Sequence, residues 1–121
     1  MRNLLKILII LAILCPGLLW ADDTQPRGLR AVPGDQVVYL HWSAPRGGAT
    51  GYWIYRAFPN GDYQRLNIQP VDKSFYADRN VINGQFHWYT ITAIDKEGRE
   101  GGPSKEVWAK PTSQHGSLKG Y

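Results

Sequence analysis

The chain reads as an all-β sandwich behind a removable export segment, and three observations point there. From residue 22 onward, short runs rich in Val, Ile, Tyr, Trp and Thr alternate with clusters of Gly, Pro, Asn and Asp, the composition of strands parted by tight turns. No stretch of that region carries the apolar period of an amphipathic helix. The start of the chain differs altogether. Arg2 and Lys6 precede the uninterrupted apolar run Ile7 to Leu14, Pro16-Gly17 breaks it, and Leu19-Trp20-Ala21 leads into Asp22-Asp23.

That N-terminal layout is the layout of a secretory signal peptide, residues 1–21, cut after Ala21. Its apolar run is shorter than the roughly 20 residues a spanning helix needs, so the mature chain is expected to keep no stable membrane span and to reside in the periplasm or outside the cell. Cys15 opens a route to lipid attachment, but Leu14 stands where such sites carry Gly, Ala or Ser. The chain's single cysteine leaves with the leader, so the domain must hold together without a disulfide in a compartment that permits them. Arg2 and Lys6 leave too; the 14 basic residues lose two against 10 acids, and the formal charge falls from +4 to +2. No basic run remains, which argues against a nucleic-acid partner.

Residues 22–25 form a short leader, and the strands follow in order. Gly28 to Ala31 opens the sheet and ends at Pro33-Gly34-Asp35. Val37 to Ser43 alternates Val38, Leu40 and Trp42 with Val37, Tyr39 and His41. Ala44-Pro45 and Arg46-Gly47-Gly48 make a loop before Tyr52 to Ala57, which Pro59-Asn60-Gly61-Asp62 closes as a tight turn. Tyr63 to Leu66 and Lys73 to Ala77 are short strands. Phe86 to Ile94 is the longest and most β-prone run, Asp95 to Pro103 is a charged Gly-rich loop, and Ser104 to Lys110 closes the sheet. From Thr112 to Tyr121 the composition is that of a disordered tail. Seven strands of this length are the count of an immunoglobulin-like sandwich.

Taken in order, the motifs resemble those of a fibronectin type III domain, of the bacterial more than the animal kind. Val38-Tyr39-Leu40-His41-Trp42 is similar to the V-x-L-x-W of its second strand, and Gly51-Tyr52-Trp53-Ile54-Tyr55-Arg56 to the G-Y-x-V-Y-R of its third. Phe75-Tyr76-Ala77-Asp78 resembles the Y-x-D that ends its fifth, Val81-Ile82-Asn83-Gly84 the turn that follows, and Thr92-Ala93-Ile94-Asp95 with Gly98 the end of its sixth. The resemblance spans residues 26–111 and implies a structural role for Asp78. It also implies a tyrosine six residues before Ala93, where this chain has His87 between Phe86 and Trp88. Either the ring nitrogen replaces the tyrosine hydroxyl structurally, or a group that titrates near neutrality senses pH there.

The residues hold no catalytic constellation. His41, His87 and His115 lie on separate elements, no Ser or Thr sits in a nucleophile elbow, and there is neither a cysteine nucleophile nor a phosphate-cradling glycine loop. Asp95, Glu97 and Glu100 are interleaved with Lys96 and Arg99, which fits a solvated mixed-charge loop better than a calcium site. No cofactor, metal or enzyme activity is expected.

The aromatic residues carry more information. Alternation with the inward Tyr52 and Ile54 puts Trp53 and Tyr55 on an outer face; alternation with Tyr89, Ile91 and Ala93 does the same for Trp88, and with Val107 and Ala109 for Trp108. The strand neighbours that the resemblance implies bring Trp88 beside Trp108, with Tyr55 at the border. Large exposed apolar patches mark interaction sites, and flat rings suit sugars or the aromatic hot spots of a protein partner. Cross-strand stabilisation alone is the alternative, as is cover by long neighbours such as Lys105, Arg56 or Lys110. The expectation is a non-catalytic interaction module that contacts a protein partner through Trp53, Tyr55, Trp88 and Trp108, or through the loop residues Lys96, Glu97, Arg99 and Glu100. The same aromatic face serving a carbohydrate is the competing expectation.

Overall fold

A computed structural model describes residues 23–58 and 61–113; the expected signal peptide, Cys15 and all but the first two residues of the expected tail lie outside them. Seven strands form two antiparallel sheets: β1 (Arg27–Gly34), β2 (Val37–Ser43), β3 (Gly51–Ala57), β4 (Tyr63–Arg65), β5 (Phe75–Asp78), β6 (His87–Ile94) and β7 (Val107–Ala109). One sheet has the order β1-β2-β5 and the other β4-β3-β6-β7. The core between them is built from the alternating inward residues of both, among them Leu29, Val38, Leu40, Trp42, Ile54, Tyr89 and Ile91. Trp42 is therefore core, where its ring meets Tyr52 edge-on at 5.1 Å.

Strand limits depart from expectation where a local rule is overridden. β1 runs on through Pro33, which pairs with Val38, because β1 is an edge strand and an edge tolerates the missing N–H. It begins with a bulge at Gly28, whose φ is +63°, a conformation open to glycine at little cost. β7 starts only at Val107 because Ser104 breaks the ladder: its hydroxyl accepts from Ile91 N–H at 3.0 Å. The expected leader is stitched to the sandwich, with Gly47 N–H donating to Asp23 O and Gln25 Nε2 donating to Pro103 O.

A polar lock joins the sheets at one end. The alternation that sends Trp53 and Tyr55 outward sends Arg56 inward, so Arg56 does not cover the aromatic face. Its guanidinium instead donates to Asp78 Oδ2 at 2.7 Å and to Asn80 O at 2.9 Å. Tyr89 OH donates to the same carboxylate at 2.8 Å, and burial beside it drives the phenol far above its usual range. The pair is buried but fully engaged, the arrangement in which a charge can leave water.

Candidate functional site: the outer face of the four-stranded sheet

The outer face of β4-β3-β6-β7 divides into two halves. In one, Trp53 and Tyr55 face outward as alternation requires, yet Tyr55 is only 7% exposed. The cover comes from β4: because Arg65 pairs directly with Tyr55, its guanidinium lies 3.7 Å from the Trp53 ring centroid and 5.9 Å from that of Tyr55. Glu100 seals the other side, accepting from Tyr55 OH and, at 2.6 Å, from Thr92 Oγ1. Burial, then the Glu100 hydrogen bond, raise the Tyr55 phenol above its ordinary pKa. These two aromatics work as an outer extension of the core.

The other half is open. Register aligns Tyr63 with Ala57, Ala57 with Trp88, and Trp88 with Trp108 across four strands. Trp88 is 40% exposed, Trp108 52% and Phe86 54%. The Trp88 and Trp108 centroids lie 6.2 Å apart at 52°, and Phe86 meets Trp108 at 5.0 Å and 74°. Lys110 lies over Phe86, its Nζ 5.2 Å from the ring centroid. The small Ala57 between Tyr63 and Trp88 leaves a groove of about 660 Å³, walled also by Phe58, Gln85, Phe86 and Glu106. Burial raises the Glu106 carboxyl above its ordinary pKa.

The charged loop is a separate feature. Asp95 lies seven positions beyond Trp88, roughly 23 Å along the strand direction. Asp95 Oδ1 accepts from the Glu97 and Arg99 amides, and Arg99 Nε donates to Asp95 Oδ2 at 2.9 Å, so hydrogen bonds from Arg99 hold the carboxyl below its usual pKa. Lys96, Glu97 and Arg99 are exposed there, while Glu100 turns in onto Tyr55. Among the described residues no three His, Cys, Asp or Glu side chains gather as a metal site would, and no helix is long and apolar enough to cross a membrane.

No protein-family profile matches the chain. Over 101 residues, 78% of its length, it is 35% identical to an amylopullulanase of Thermoanaerobacterium thermosulfurigenes, a match covering 5% of that enzyme. The chain spans only 5 to 8% of the curated relatives it matches. Among solved structures, an Fn3-like protein from Clostridium thermocellum superposes with a TM-score of 0.59 at 26% identity, over 74% of this chain and 95% of that one. The described residues have the fibronectin type III fold. A human example, the fibronectin type III domain of fibronectin type III domain containing protein 3, shares the fold with a TM-score of 0.60 at 17% identity, over 77% of this chain and 90% of that one.

In this fold, His87 occupies the expected tyrosine position and ties β6 to the preceding turn: its Nε2 accepts from Ile82 N–H at 3.3 Å. An accepting nitrogen means a neutral ring, and burial lowers the His87 pKa accordingly. Alternation missed Arg65, Phe58, Tyr63, Gln85, Phe86 and Glu106. One of these had a signal: Glu106 shares the face of Trp108 two residues on.

Proposed function

We propose that this fibronectin type III domain is a non-catalytic, exported carbohydrate-binding module that contacts glycan through Trp88, Trp108 and Phe86. The observation that carries the reading is the open aromatic half of the face, with a groove at its edge that supplies polar groups beside the rings. Exposed rings bind the apolar faces of sugars, and a few polar groups fix orientation. The likeness to amylopullulanases supports a glycan over other ligands, and the pattern of residues 1–21 supports action outside the cytoplasm. The test is retardation of the purified protein in native gels containing pullulan or amylose, with tryptophan fluorescence read in parallel. Retardation that is lost in Trp88→Ala is expected; no retardation and no spectral change with either glycan would overturn the reading.

A protein partner on the same rings is the second reading. It is favoured by the steep angles between the rings, 52° and 74°, which present edges as well as a flat platform, as aromatic hot spots do. A crosslinked partner lost in both Trp88→Ala and Trp108→Ala, from a protein that ignores glycans, would support it.

A further inference from the structure

Resting on the glycan reading, we infer that the groove between Tyr63 and Trp88 is a subsite for neutral sugar residues, and that Glu106 is the side chain that turns acidic glycans away. The groove has the size of a small-molecule site, which runs about 300–1,000 Å³, and its floor exists because Ala57 stands in register between two large aromatics. Phe58, Phe86 and Trp88 give it apolar walls for the C–H faces of sugar rings. Gln85 brings an amide that both donates and accepts. The Tyr63 hydroxyl, shielded from solvent, has no hydrogen-bond partner among the described residues.

Charge then decides the class of sugar. Among the described residues that line the groove, Glu106 alone is charged. The cations nearby do not offset it: Arg56, 5.9 Å from the Phe58 ring, is held by Asp78, and Lys110 lies over Phe86 without lining the groove. A uronate entering would set its carboxylate against the exposed Glu106 on the groove wall, where like charges repel. A neutral hydroxyl pair would instead donate to that same carboxylate, a charge-assisted bond.

The experiment compares retardation by pullulan, a neutral glucan, with retardation by polygalacturonate at about 0.15 M salt, where long-range attraction is damped. The wild-type protein is expected to be retarded by pullulan and to pass polygalacturonate freely. Glu106→Gln, which forfeits the charge-assisted bond, should weaken retardation by pullulan roughly three- to tenfold and admit polygalacturonate roughly five- to tenfold better, and Glu106→Lys better still. Polygalacturonate retarding the wild type as strongly as pullulan, or both variants keeping the wild-type preference, would overturn the assignment of Glu106 while leaving glycan binding intact. If neither glycan retards the protein, the carbohydrate reading falls, and the subsite with it.

Discussion

Two aromatic pairs sit on one face of one sheet, and they have opposite fates. Trp53 and Tyr55 on β3 are roofed by Arg65, and Glu100 clasps Tyr55; Trp88 and Trp108 on β6 and β7 stand open. Strand alternation treats all four alike. The difference lies in the neighbours: the row through Tyr55 has a long cation paired across from it, while the row through Trp88 has Ala57. An outward aromatic thus becomes structure or surface according to one residue on the adjacent strand.

The sharpest way to break this contrast is truncation. Tyr55→Ala should cost about 3–5 kcal/mol, the range for a buried large aromatic, because it removes the ring beneath Arg65 and leaves Glu100 short of a donor. Trp108→Ala should cost about 1 kcal/mol or less, the scale of a cross-strand pair. Urea denaturation of the two variants checks this. Equal losses would mean that the open pair is as structural as the sealed one. Next in size is Glu100→Ala, which deprives the Tyr55 and Thr92 hydroxyls of their acceptor and should cost about 1–3 kcal/mol. A loss near zero would remove Glu100 from the seal and return it to the contact loop.

Much of the fold was legible before the structure. Seven strands, their order, the inward Trp42 and the structural role of Asp78 all follow from period-two alternation, turn composition and the resemblance of ordered motifs. The side each aromatic faces was legible for the same reason. Exposure was not, because it depends on how far Arg65 reaches over Trp53 and on Glu100 folding back from a loop that reads as solvated. The groove was hidden for a related reason: it is a hole, defined by a small residue in register between Tyr63 and Trp88, and composition does not show registers.

The open half also rests on weaker support, which pH can expose. The turn that carries Gln85 and Phe86 hangs from His87 Nε2 through Ile82 N–H. Burial holds the His87 pKa below its ordinary 6.5, so the unfolded chain takes up the proton first. The stabilisation is complete above that ordinary value and is lost as pH falls through it toward the depressed folded value. Acidification from about pH 7 to about pH 5 should therefore lower stability, and His87→Gln should flatten that part of the profile. A wild-type profile unchanged by the substitution would place the sensitivity elsewhere. Trp53 lies beneath Arg65 and not on that turn, so its fluorescence should be indifferent.

The smallest effect on stability should come with one of the largest on binding. Ala57→Leu places a branched side chain in the groove floor, between Tyr63 and Trp88, where open space already exists. Filling that space adds apolar contact without overpacking the interior, so stability should move by no more than about 0.5 kcal/mol. The substitution leaves Trp108 and Phe86 untouched and copies onto the open half what Arg65 does to the sealed one. If the groove holds the sugar, Ala57→Leu should abolish retardation by pullulan as fully as Trp88→Ala does. If the rings alone make the contact, retardation should survive the leucine and fail only when Trp88 or Trp108 is removed. The comparison therefore separates a site made by a cavity from one made by exposed rings.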